Sequence, residues 1–141
     1  AIGSGLFVSL SRSVQAEAEA ATGNMSAFET IAASEERARR NGARYGLAEI
    51  QRREGIILRR LGPRDSGAAE AAFRRALATA RSQEARFWEL RAAGDLARLL
   101  AERGERREAF DLLAPIHGWF TEGFDLPDLK EAKSLLDELR T

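Results

Sequence analysis

Residues 88–120 read WELRAAGDLARLLAERGERREAFDLLAPIHGWF, and the spacing within them decides the fold. Before Gly104 the apolar positions Trp88, Ala92, Ala93, Leu96, Ala97 and Leu100 recur every three or four residues, which lines one face of a 3.6-residue helix. Ala109, Leu112, Leu113, Ile116, Trp119 and Phe120 repeat the spacing after it. Glycine is the residue best suited to leave a helix in the left-handed conformation, so the segment predicts two antiparallel helices that face each other. Pro115 falls inside the second helix and lacks a backbone donor, which predicts a kink or local break near Leu113–Pro115.

Gly23-Asn24 and Gly62-Pro63 stand in the same relation to their neighbours, so successive turn glycines lie 39 and 42 residues apart. A period of roughly 34–47 residues is the mark of stacked helical hairpins, each burying its apolar face against the next. In the second hairpin Gly55, Leu58 and Leu61 mark the first helix, and Ala69, Phe73 and Ala76 form a small-large-small ridge on the second. In the first hairpin Leu6, Phe7, Leu10, Val14 and Ala18 precede Gly23, and Ala27, Phe28, Ile31 and Ala32 follow it. After the turn GFDLP (123–127), Leu129, Ala132, Leu135, Leu136 and Leu139 predict a last helix over about 127–140, started by Pro127 or Asp128. The chain therefore reads as a single domain over 1–141, with hairpins over about 4–41, 44–82 and 85–121 and a helix that caps the open end.

Composition agrees with an all-α fold. The 141 residues are rich in Ala, Leu, Arg and Glu, and no short run alternates apolar with polar as a half-buried strand would. No stretch approaches the roughly 18–20 apolar residues needed to span a bilayer, which predicts no membrane partner and a cytoplasmic location. The absence of cysteine removes thiol nucleophiles, disulfide frameworks and thiolate metal sites. With 22 basic against 22 acidic residues there is no global attraction to nucleic acid. The opening AIGSGLFVSL has neither a Met nor a cationic leader, so the chain reads as a piece of a longer protein, with Gly3-Ser4-Gly5 a tag remnant or frayed end.

None of the chemically suggestive residues assembles into an active site. His117 is the single histidine and has no second ligand type at metal spacing, so it reads as structural. Asp125, Asp128 and Glu131 are acidic, but Asp128 and Glu131 are spaced as a helix cap and its partner. Trp88, Trp119 and Phe120 sit at core spacings rather than as a stacking platform. No glycine-rich loop is followed by Lys, so a phosphate cradle is missing. The expectation is no catalytic residue, no metal and no cofactor.

The sequence Leu96-Ala97, Leu100, Gly104, Ala109, Leu113 and Ile116 resembles the tetratricopeptide repeat. Gly55, Leu58, Gly62, Ala69, Phe73 and Ala76 give the same series with two more residues in the turn, where PRDSG (63–67) sits. Loops absorb such insertions at little cost. From EGIILRR (54–60) through AEAAFRRALATAR (69–81) to LLDEL (135–139), the chain resembles the C-terminal tetratricopeptide region of large bacterial signalling proteins. Those carry a class III adenylate/guanylate cyclase or winged-helix domain together with an AAA-like or STAND-type ATPase module. The resemblance covers about residues 47–139. It implies an α-solenoid that scaffolds or regulates while catalysis lies elsewhere in the parent protein.

Charge is uneven along the chain. Residues 44–104 hold 13 basic and 8 acidic side chains, and 105–141 hold 5 and 9. In a tetratricopeptide superhelix the first helix of each hairpin lines the concave wall, and Arg52, Arg59, Arg60, Arg91 and Arg98 lie on those helices away from the apolar stripe. Arg52 and Arg59, like Arg91 and Arg98, are seven residues apart, about 10.5 Å along one helix face. A guanidinium matches a carboxylate bidentately, so these five arginines are the expected peptide-binding residues, for an acidic peptide or another domain of the same chain. Two alternatives stand beside that reading: an accessory part of a nucleotide-cyclase or ATPase unit, or single-stranded nucleic-acid binding through the arginine-rich middle.

Overall fold

The computed structural model describes residues 2–40, 44–63 and 67–140, with side chains from Val8 onward. Leu6, Phe7 and most of the PRDSG turn lie outside the described side chains. The helices are α1 (Ile2–Ala21), α2 (Ala27–Arg40), α3 (Leu47–Leu61, entered by a 3-10 turn at Arg44–Gly46), α4 (Ala68–Ser82), α5 (Arg86–Glu102), α6 (Arg106–Gly118) and α7 (Pro127–Arg140). No strand occurs among the described residues, and the fold is all-α. Each helix packs on its successor in sequence. In addition α1 packs on α3, α3 on α5 and α5 on α7, whereas among the described residues α2, α4 and α6 do not pack on one another, α4 and α6 meeting only through an ion pair from Arg74 to Glu108 at 3.2 Å. The odd-numbered helices form one continuous row and the even-numbered ones stand apart along its outer side.

The turns are closed by backbone hydrogen bonds. After α5, Gly104 N–H donates to Ala101 O at 3.0 Å and Glu105 N–H to Leu100 O at 2.9 Å, with Gly104 at φ +87°. That is the Schellman arrangement. After α1 it recurs with Gly23 at φ +80°. The end of α4 uses the same bonds, but the left-handed residue there is Glu84, at φ +54°.

Gly62 is the C-cap of α3, as its place in the sequence predicts, but it is not a left-handed one. It is extended (φ −85°, ψ 170°) rather than left-handed, because Pro63 disfavours helical backbone in the residue before it. A Cβ on Gly62 would stand 2.7 Å from Leu58 O. The left-handed glycine of this connection is Gly67, at φ +73°.

Two apolar clusters meet at α3. One joins Ala16, Ala20, Ala27, Ile31, Ala38, Ile50 and Ile57 across α1, α2 and α3. The other runs from Phe73 and Leu77 through Leu90, Leu96 and Leu100 to Leu113, Leu129 and Leu136. Gly55 fixes the α3–α4 distance: a Cβ there would lie 2.4 Å from the Phe73 ring, which is wholly buried. This is the small-large packing read from Ala69, Phe73 and Ala76. The buried aliphatic positions of α3, however, are Leu47, Ala48, Ile50 and Ile57, while Leu58 and Leu61 are half-buried.

α1 also turns a different face inward. Ser9, Ser13, Ala16 and Ala20 are buried, whereas Val14 and Ala18 are exposed. Small side chains allow close approach of α1 to its neighbours, and the Ser13 hydroxyl is satisfied by donating to Leu10 O at 2.7 Å.

The C-terminal region refines the expectation at three places. α6 continues through Pro115 to Gly118. Pro115 is solvent-exposed, so the carbonyl deprived of its partner one turn earlier lies on the wet side. Trp119 is not core: it lies just past α6, 55% exposed, edge-on to Phe120 at 5.2 Å with the Arg86 guanidinium 5.1 Å from its ring centre. α7 begins at Pro127, one of the two expected starts, and Leu126 rather than Asp128 holds the cap position, since Lys130 N–H donates to its carbonyl at 3.0 Å.

Gly55→Ala is expected to destabilise the protein. Overpacking against Phe73 costs about 1–3 kcal/mol, which outweighs a helix-propensity gain of about 1 kcal/mol. Urea unfolding of the variant checks this, and a midpoint equal to or above that of the parent would contradict the α3–α4 contact.

Candidate functional site

The row of odd-numbered helices carries the chemistry. On α3, the Arg52 side chain lies under its neighbours, and the residue is only 7% exposed. Its Nε donates to Glu49 Oε2 at 2.8 Å, one turn earlier, and its Nη1 donates to Asp95 Oδ2 on α5 at 2.8 Å. Glu49, itself buried, also receives Arg91 from α5. Arg91 Nε reaches toward Asp128 on α7 at 3.8 Å. Arg98 on α5 bridges Asp95 at 3.4 Å and Glu131 on α7 at 3.4 Å. Farther along, Arg59 on α3 pairs with Glu102 on α5, and Arg53 holds Glu17 on α1 at 3.3 Å. One lattice of ion pairs therefore crosses every seam of the row.

Burial and charge pull in opposite directions at its centre. Desolvation disfavours the Arg52 cation, but the hydrogen bond and charge of Glu49, then those of Asp95, outweigh it and hold the guanidinium above its ordinary pKa. Arg52 is charged at every pH at which the protein is folded. A buried pair of this kind adds little net stability over a well-packed apolar pair. It is costly to break, because the surviving charge is left without a partner in a low-dielectric site.

The five arginines expected from the sequence are distributed as follows. Arg52, Arg59, Arg91 and Arg98 all lie on this row and all are ion-paired. Arg60 borders the same row next to Arg59, is exposed, and makes no ion pair among the described residues. The row is not a bare basic wall: Glu49, Asp95, Glu102, Asp128 and Glu131 are interleaved with the arginines. Part of this was open to sequence reasoning, since Glu49/Arg52 and Asp95/Arg98 have the i, i+3 spacing of helix pairs. The pairings between helices have no such local signal.

Between α3, α5 and α7 the lattice surrounds a polar cleft of about 230 Å³, with Gly94 of α5 on its wall. Sequence reasoning missed Gly94, Asp95 and Glu131 as members of this site. Away from the row, the expected structural histidine, His117, is half-buried with its ring 6.0 Å from Phe124. Tyr45 lies against Trp88 at 4.8 Å, at the end of the row where α3 and α5 begin. Among the described residues no group of three metal-ligating side chains converges, and no helix is long and apolar enough to cross a membrane.

Glu49→Ala leaves both Arg52 and Arg91 short of a carboxylate, and is expected to lower the unfolding free energy by about 3–5 kcal/mol. Glu102→Ala, which removes a partly exposed pair, is expected to lower it by less than about 1 kcal/mol. Chemical denaturation of the two variants checks the contrast, and equal losses would place Arg52 in water rather than in the lattice. Comparison with family models, with curated proteins and with solved structures finds no match for this chain.

Proposed function

We propose that this chain is a tetratricopeptide-like α-solenoid module, three antiparallel hairpins closed by α7, that binds a peptide or a neighbouring domain along its odd-numbered helices. On this reading it is a regulatory scaffold within a cytoplasmic bacterial signalling protein, and catalysis belongs to other domains of that protein. The observation that carries the reading is the asymmetry of the packing. α1, α3, α5 and α7 each pack on the next, while among the described residues the even-numbered helices do not, α4 and α6 meeting only through the side chains of Arg74 and Glu108. Helices packed closely on one side and splayed on the other curve toward the close-packed side, which gives the solenoid its concave binding surface. That surface here is dense in charged groups that reach solvent, including Arg60, Arg98, Glu102 and Glu131. Directional, charged side chains on a preformed row suit recognition of an extended segment more than enclosure of a small apolar ligand.

Selection of displayed random dodecapeptides on the chain tests the proposal. Peptides that bind are expected to lose about tenfold or more in affinity with Arg98→Glu, a change of at least about 1.4 kcal/mol, and to ignore Arg107→Glu on the outer helix α6. Binders that respond to Arg107→Glu and not to Arg98→Glu would refute the assignment of the row as the binding face.

A further inference from the structure

Gly94 stands in the ninth position of the seventeen-residue helix α5. Glycine in a helix interior costs about 0.5–1 kcal/mol relative to alanine. A packing reason would show as an atom crowding the place of a Cβ, as Phe73 does at Gly55. At Gly94, apart from its chain neighbours and the backbone of α5 itself, no atom lies within 4 Å of that place. The residue is nonetheless buried, at the wall of the cleft framed by Arg91, Asp95, Arg98, Asp128 and Glu131. Within the described chain, then, nothing uses the space that the missing side chain leaves.

The groups around this space differ in how firmly they are held. Arg52 is clasped at 2.8 Å on two sides. The outer contacts are looser: Arg98 meets Asp95 and Glu131 at 3.4 Å each, and Arg91, whose Nη1 is held by Glu49, meets Asp128 through its Nε only at 3.8 Å. A good N–H···O bond spans about 2.7–3.2 Å, so Arg91, Arg98, Asp128 and Glu131 retain bonding capacity. Glu131 is also 63% exposed at its side chain. A ligand bearing only carboxylates would meet Asp95, Asp128 and Glu131 as like charges, and one bearing only cations would meet Arg91 and Arg98. Juxtaposed like charges select against both.

We infer that Gly94 is where a partner segment lies against the α5 backbone, and that this segment carries acidic and basic side chains side by side, the acid on Arg91 and Arg98 and the base on Asp128 and Glu131. The inference rests on the row being the binding face. Because the site is charge-balanced, binding depends on salt only weakly, unlike capture of an acidic peptide by a basic patch.

The test uses three octapeptides, acetylated and amidated so that no terminal charge intervenes: alternating Glu-Arg, all-Glu and all-Arg. Fluorescence anisotropy is expected to give the alternating peptide about tenfold or more higher affinity than either of the others. That affinity should change by less than about threefold between low and physiological salt. Gly94→Leu is expected to reduce it about tenfold without lowering the melting temperature, because Leu favours helix over Gly. If Gly94→Leu perturbs the fold, Gly94→Ala carries the test, with an expected loss of about threefold alongside a higher melting temperature.

The inference is overturned if all-Glu binds as tightly as the alternating peptide, if the alternating peptide does not bind, or if the Gly94 variants bind it unchanged. In each of those cases peptides selected from the random library that still respond to Arg98→Glu would leave the binding face in place. Loss of that response as well would remove both.

Discussion

Arg52 of α3 reaches across to α5 with its guanidinium fixed between Glu49 and Asp95 at hydrogen-bond distance. Because the group is buried and permanently charged, the two carboxylates must stay within reach of it in any folded state, and this sets the offset between α3 and α5. Arg91 continues the constraint from Glu49 toward α7, and Arg53 continues it toward α1 through Glu17. Apolar packing supplies most of the stabilisation, from two clusters that meet on α3, but apolar contacts are not directional and tolerate sliding. The ion-pair lattice removes that freedom. The arginines of the row are therefore inter-helix ties first, and only their loosely held outer members are free to serve a partner.

The balance between the two kinds of contact also explains the glycines of the row. At Gly55 a side chain is excluded from within, since the Phe73 ring occupies its place and draws α4 onto α3. At Gly94 the place is open. The same residue type on neighbouring helices thus answers two different demands, one of packing and one of access. They are told apart only by asking what a Cβ would touch.

Much of the architecture was legible in the sequence, for identifiable reasons. α5 and α7 carry large apolar side chains at helical spacing, and Leu96, Leu100, Leu129 and Leu136 are buried as their spacing requires. The buried face of α1 was not legible, because its buried positions are Ser9, Ser13, Ala16 and Ala20, and a stripe of small residues is invisible to a search for large ones. In the turn after α4 only the left-handed residue was hidden, since Glu84 holds the position usually given to glycine. Gly62 caps α3 as read, but its extended backbone has a local cause in Pro63. At the candidate site the arginines could be placed on their helices from periodicity alone. Their neutralisation depends on Glu49 meeting Arg91 and Asp95 meeting Arg52 across helix boundaries, and no local pattern encodes those meetings.

The most direct test of the central claim is a double-mutant cycle between Arg52 and Asp95, using Arg52→Met and Asp95→Asn and the unfolding free energies of the single and double variants. If the pair ties α3 to α5, each single change is strongly destabilising, and the double variant recovers part of the loss, with a coupling of about 1–3 kcal/mol. Additivity within about 0.5 kcal/mol would contradict the account, because it would mean that the buried guanidinium and the carboxylate opposite it do not sense each other.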